Sequence, residues 1–66
     1  MKAKERIDTI GNKDLMSING RLSCLKNRSE QLKEAGRILC GMWIMHWTSD
    51  DAEYLMKRAG VRILTR

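Results

Sequence analysis

Apolar residues recur along the middle of this chain with a period of seven. In a heptad frame, the d positions are Ile18, Leu25, Leu32 and Leu39, and the a positions are Leu15, Leu22, Ser29, Gly36 and Trp43. Such a repeat is typical of helices that pack along a common seam. The seam is weak at its centre, because Ser29 and Gly36 offer little apolar volume there.

Two arrangements of this segment fit the pattern. One is a single long helix over about residues 13–47, roughly 50 Å in length, paired with a partner chain. The other is a helical hairpin that breaks near Asn27–Ser29, with Ser29 as the cap of the second helix. Glycines at positions 20, 36 and 41 each cost about 1 kcal/mol inside a helix. Together with the weak centre, they favour the hairpin.

Shorter helices are predicted on both sides of the seam. A first helix over Ala3–Ile10 is followed by a glycine, after which Asn12 is expected to cap the next helix. The sequence Thr48–Asp51 is typical of a helix start, with a hydroxyl cap followed by acidic residues at the positive helix end. Gly60 is expected to end this last helix.

The dipeptide Asn19-Gly20 also permits a β-hairpin over residues 15–25, since this pair favours a two-residue turn. Pairing outward from the turn sets Ile18 against Arg21 and leaves no apolar face. The chain contains no proline, and good helix formers dominate its composition. The prediction is therefore a single all-α domain over residues 1–66, with two to three helices.

The segment Gly41–Trp47 holds both tryptophans and the one histidine of the chain. On a helix, Leu39, Trp43 and Trp47 form one ridge, and Gly36 leaves room beside it for a backbone or a ring. A helix that is apolar nearly all round has to be surrounded by protein. The segment is therefore predicted to be helical and to lie at the centre of a homodimer core, with a binding groove for a different protein as the alternative.

Chain length also favours association. A chain of this size buries only about 60% of its unfolded surface, and small domains often compensate with disulfides, a metal or a second subunit. Cys24 and Cys40 lack a disulfide framework or a ligand spacing and are expected to be reduced, small buried groups. A helical homodimer is predicted, with the dimer or partner interface formed by Ile18, Leu25, Leu32, Leu39, Met42, Trp43 and Trp47.

Candidate chemistry is sparse. His46 is interpreted as a packed or partly exposed side chain, since zinc needs three or four protein ligands and Cys40 lies on another side of a helix. Asp50-Asp51 is explained by helix capping. No catalytic motif can be assembled, so the sequence predicts neither an enzyme, nor a metal site, nor a cofactor.

Net charge is +5, and residues 1–37 hold nine Lys and Arg against five Asp and Glu. A basic surface attracts nucleic acid or acidic proteins. The candidate phosphate contacts are Lys26, Arg28, Lys33 and Arg37, whose simpler role is a solvated helix face.

The longest uncharged stretch spans 12 residues, fewer than the roughly 20 that cross a bilayer. Without a signal-like N-terminus, the sequence predicts a cytoplasmic protein with no membrane partner. The predicted function is that of a small non-enzymatic regulator or inhibitor of another protein, acting as a homodimer, of the size class of phage and plasmid accessory proteins. The alternative is a nucleic-acid-binding regulator that uses the basic N-terminal half.

Overall fold

The computed structural model describes residues 2–65, and this range contains four helices and no strand. They are α1 (Ala3–Ile7), α2 (Asn12–Ser23), α3 (Arg28–Gly41) and α4 (Ser49–Arg58). The predicted all-α class is confirmed. The β-hairpin over residues 15–25 is wrong, because Asn19 and Gly20 lie inside α2.

Helix α4 lies at the centre of the fold and packs against each of the other three helices. Its inward side chains, Ala52, Leu55 and Met56, are completely buried. The rest of the core comes from all other parts of the chain: Ile7, Leu15, Ile18, Leu22, Ala35, Leu39, Ile44 and Val61. A single protomer therefore encloses a continuous core.

The seam is folded back on itself as a helical hairpin, and the single long helix over residues 13–47 is wrong. Helix α2 ends at Ser23, and α3 begins at Arg28. The cap of α3 is Asn27, not Ser29: its backbone is extended, and its side-chain oxygen accepts the Glu30 N–H at 2.9 Å. Asparagine is among the best caps, and capping at this position places Ser29 within the first helical turn.

The other helix ends agree with the sequence predictions to different degrees. Helix α2 begins at Asn12 itself, with Gly11 as the cap position and no side-chain hydrogen bond to the cap, so the predicted Asn12 cap is wrong. The start of α4 is confirmed, since Thr48 and Asp51 form a reciprocal capping box. Gly60 ends α4 in the left-handed region at φ +73°, as predicted.

The C-terminal segment after α4 is attached to the core by one amide side chain. Gln31, almost fully buried, donates to the Arg62 carbonyl at 2.9 Å and accepts the Leu64 N–H at 2.9 Å. This pair of hydrogen bonds resembles the pairing between two β-strands, with the amide group of Gln31 in the place of the second strand's backbone. Val61 is buried beside it, so the segment docks on the core, in agreement with its apolar sequence.

Candidate functional site

Helix α3 ends at Gly41, so the predicted helix through Trp47 is wrong. The Ile44 N–H donates to the Leu39 carbonyl at 3.0 Å, five residues back. One step inside this bond, the Trp43 N–H donates to the Cys40 carbonyl at 2.9 Å. This pair of nested bonds is the Schellman motif, which reverses the chain at a helix C-terminus.

Trp43 occupies the left-handed position of this motif, at φ +64°. Glycine is the usual residue there, because a Cβ atom in this conformation costs roughly 1–2 kcal/mol. The Trp43 side chain is 81% exposed and therefore gains little from burial. A strained backbone that displays a large aromatic ring to solvent is a feature that packing does not explain.

The loop that carries Trp43 is fixed to the rest of the molecule at three points. Ile44, the next residue, is 6% exposed and belongs to the core. The Trp47 indole covers Gly36, where an added Cβ atom would lie within 3.0 Å of the ring. The Arg6 guanidinium of α1 donates to the Met42 carbonyl at 2.5 Å. Trp43 is thus presented on an ordered support.

Beside Trp43 runs an open groove of roughly 260 Å³ between the loop and α1, lined by Ala3, Arg6, Trp43, Ile44, Met45 and His46. Met45 is 65% exposed and supplies a second apolar side chain. A second concave region, which shares Ala3 and His46 with the first, is lined in addition by Lys2, Lys4, Thr48 and Asp51. These two regions together with Trp43 and Met45 are called the Trp43 surface below.

Helix α1, the basic wall of this groove, is held in place by α4. Tyr54 donates its hydroxyl to the Asp8 carboxylate, and the Arg58 Nε atom lies 3.6 Å from the same carboxylate. The Lys4 ammonium lies 5.7 Å from the centre of the Tyr54 ring, within cation–π range. The hydrogen bond to Asp8 raises the pKa of Tyr54 above its ordinary value, so Tyr54 stays a neutral donor.

The seven residues predicted for an interface differ in how far they are buried. Ile18 and Leu39 are buried in the core of the single protomer. The half-buried members, which pack against that core, are Leu25, Leu32, Met42 and Trp47. Trp43 alone among the seven is exposed. The ridge of Leu39, Trp43 and Trp47 does not form, because the helix ends at Gly41, Trp43 is exposed and Trp47 packs over Gly36.

Of the four candidate phosphate contacts, one arginine is paired with a carboxylate of another helix, and the second arginine is exposed at the limit of ion-pair distance from a carboxylate on its own helix. Arg28 pairs with Glu53 on α4, and an Arg37 nitrogen lies 4.0 Å from Glu34. Lys33 is exposed on α3, and Lys26 is exposed in the loop before it. The four therefore do not form a continuous row of free cations.

The two cysteines and the histidine were the remaining residues with possible chemical roles. Cys24 and Cys40 are both exposed free thiols, so the expectation that they are buried is wrong. His46 is exposed beside the groove. Among residues 2–65, no three His, Cys, Asp or Glu side chains are grouped closely enough to hold a metal ion.

Sequence reasoning gave no binding role to Met45, Arg6, Lys2 or Lys4 of the Trp43 surface. Met45 has no periodic relation to the seam, and its exposure follows from the irregular loop. Arg6 lies in a short basic segment that the sequence assigns to a first helix without a role. No neighbouring residue indicates that the Arg6 guanidinium binds the loop, because its hydrogen-bond partner, the Met42 carbonyl, lies 36 positions further along the chain.

Comparisons of the chain with protein-family models, with curated proteins and with solved structures give no match. Within the described residues, no helix has the length and apolar character needed to cross a membrane.

Proposed function

We propose that this chain is a small non-enzymatic binding protein that regulates or inhibits another protein by direct contact through the Trp43 surface. The observation that carries the proposal is Trp43 itself, an exposed tryptophan in a backbone conformation that favours glycine. Strain of this kind persists where function requires it. Tryptophan is also the residue type most enriched among the few side chains that dominate protein–protein affinity.

The support beneath Trp43 strengthens this proposal. Binding is weakened when a loop has to become ordered on contact, and a loop fixed in advance avoids much of that loss. Ile44, Trp47 and the bond from Arg6 to the loop fix this one. Met45 widens the apolar area next to the ring, and methionine adapts its shape to a partner.

The test is affinity capture from the cell that produces the protein, with nuclease-treated extract. Wild type is compared with Trp43→Gly, which removes the ring and suits the left-handed backbone, and with Met16→Ala as a matched control. Met16 is 76% exposed and lies on α2, away from the Trp43 surface. A specific protein retained by wild type and Met16→Ala but lost with Trp43→Gly is the expected result. Equal retention by all three contradicts the proposal.

Homodimerisation stays a prediction. Since Ile18 and Leu39 serve the core of one protomer, a dimer of this fold has to form without these two residues. Sedimentation at micromolar concentration checks this: a species of twice the protomer mass supports the dimer, and a stable monomer contradicts it.

The nucleic-acid-binding alternative has weaker support, because Arg28, one of its four candidate contacts, is paired with Glu53 on α4. Binding to duplex DNA through phosphates falls steeply with salt, with a log–log slope of about 0.9 per contact. Submicromolar, sequence-selective binding of duplex DNA at physiological salt would make this alternative the leading function.

A further inference from the structure

Positive charge surrounds the Trp43 surface on the α1 side. Lys2 and Lys4 are exposed, and neither forms an ion pair with a described residue. Arg6 donates to a backbone carbonyl and not to a carboxylate, so its charge is not neutralised. Among the residues that line the two regions of the surface, Asp51 has the one carboxylate, and that group is occupied in the capping box of α4.

The arginines on the other helices differ from Arg6 in having carboxylate partners. Arginines on the other helices are matched by carboxylates of the chain, in the pairs Arg21–Glu34, Arg28–Glu53, Arg37–Glu34 and Arg58–Asp8. Exposed cations without an ion pair among the described residues also occur away from Trp43, at Lys13, Lys26, Lys33, Lys57 and Arg62. What distinguishes Lys2, Lys4 and Arg6 is that they line a concave surface together with the exposed apolar side chains of Trp43 and Met45. An apolar centre with a charged rim is the usual composition of a protein-binding site.

We infer that the Trp43 surface binds an acidic segment of another protein, which packs an apolar side chain against Trp43 and Met45 and places carboxylates near Lys2, Lys4 and Arg6. This inference rests on the proposed function and adds the chemistry of the partner. Opposite charge around an apolar anchor orients the partner and speeds its association.

A second copy of this chain is a poor occupant of the same surface. A two-fold dimer brings the same patch of both copies into one interface, so the basic groups of both α1 helices would lie there with Asp51 as the one carboxylate of each lining. Like charges placed together across an interface are unfavourable. A dimer of this chain, where it forms, therefore uses another surface.

An anionic polymer such as nucleic acid fits less well. Binding along a phosphate backbone relies on many free cations, each of which adds to the affinity. Here four arginines on α2, α3 and α4 are paired within the chain, and the cations that line the Trp43 surface are Lys2, Lys4 and Arg6, within or next to one short helix. A short acidic peptide matches an area of that size.

The experiment is a selection from a random library of displayed peptides of about 16 residues, long enough to cross the surface as a helix of about 24 Å or as a shorter extended segment. Immobilised wild-type protein and Trp43→Gly are used in parallel. Peptides enriched on wild type are expected to carry net negative charge and at least one large apolar residue. Trp43→Gly should weaken the binding of the best peptide at least tenfold, the loss typical of a central tryptophan, while circular dichroism shows the variant folded.

Lys2→Gln/Lys4→Gln tests the charge separately. This double variant is expected to weaken the same peptide severalfold at low salt and to reduce the salt dependence of its binding, because exposed charges act at long range and are screened. The matched control is Lys26→Gln/Lys33→Gln, which removes two exposed lysines elsewhere and should leave the affinity unchanged.

The outcomes separate this inference from the proposed function. Enriched peptides that depend on Trp43 but are neutral or basic overturn the acidic partner and leave the binding surface standing. Enrichment that is the same on Trp43→Gly, or no enrichment, contradicts both. Trp43-dependent binding of oligothymidine of about 20 nucleotides or of phosphatidylglycerol vesicles, tighter than any selected peptide, overturns the inference in favour of nucleic acid or lipid.

Discussion

Helices α3 and α4 end with the same backbone motif. At the end of α4, the Val61 N–H donates to Met56 at 2.9 Å and the Gly60 N–H to Lys57 at 3.1 Å. At the end of α3, the equivalent outer bond runs from Ile44 to Leu39 at 3.0 Å. In both cases the apolar residue after the turn is buried, as is the helical residue that accepts its bond.

The two ends differ at the left-handed residue. Gly60 occupies it in α4, at φ +73°, and Trp43 in α3, at φ +64°. Since the hydrogen bonds and the buried apolar pairs are equivalent, the fold does not require a tryptophan at this position. The two residues of this loop therefore differ: Ile44 is buried and serves the fold, whereas Trp43 is exposed, and under the proposed function it contacts a partner.

The largest expected effect in this comparison concerns Ile44. Ile44→Ala removes a core side chain and should lower the free energy of unfolding by about 2–4 kcal/mol, a large part of the roughly 3–10 kcal/mol expected for a domain of this size. Chemical denaturation followed by circular dichroism measures it. Met45→Ala, the exposed neighbour, should change stability by less than about 0.5 kcal/mol. Equal losses for the two variants would contradict the division of roles.

The second prediction concerns the packing of Trp47 on α3. Gly36→Ala places a methyl group against the indole ring, and overpacking of this kind costs about 1–3 kcal/mol. Gly20→Ala is the matched control, because nothing lies within 4 Å of its added Cβ atom. It should gain about 0.5–1 kcal/mol from better helix propensity. A gain at both positions would mean that Trp47 does not fix the loop.

The contrast between the two helix ends also explains what the sequence could predict. The limits of α4 follow from neighbouring residues: Thr48 and Asp51 cap its start, and Gly60 favours the turn at its end. Local chemistry of this kind is readable without a structure. At the end of α3 the same motif uses Trp43, which is a poor choice for a left-handed residue, so no local signal marks it.

The features that could not be predicted depend on which side chains are buried in the folded chain. In the run from Met42 to Trp47 nearly every residue is apolar, and hydropathy does not show that Ile44 enters the core while Trp43 does not. A polar residue such as Gln31 is expected at the surface. It is buried, and its amide group forms hydrogen bonds with the backbone of the C-terminal segment. The pattern of apolar residues therefore drew attention to the aromatic segment, but the conformation predicted for it, a helix through Trp47, was wrong.

The third prediction alters the α4 end. Gly60→Ala adds a Cβ atom in the left-handed region and should destabilise the protein by about 1–2 kcal/mol. The loss is a backbone effect, since the nearest atom to the new methyl group, Asn19 Nδ2, lies at an ordinary contact distance of 3.6 Å. Thermal unfolding checks it. No change on substitution would contradict the strain assigned to a side chain at this position, and with it the strain argument for Trp43.

The smallest effect, and the one with opposite sign, is expected for Trp43→Gly. Glycine relieves the left-handed strain of roughly 1–2 kcal/mol, while its greater freedom in the unfolded chain takes back about 0.5–1 kcal/mol. The exposed indole loses little packing, so the variant should be more stable by about 0.5–1 kcal/mol, a rise of a few degrees in Tm. Trp43→Ala keeps the Cβ strain and should show no such gain, which makes it the control. A Trp43→Gly variant that is less stable than wild type would mean that the ring supports the fold, and the reason to assign it a partner would be lost.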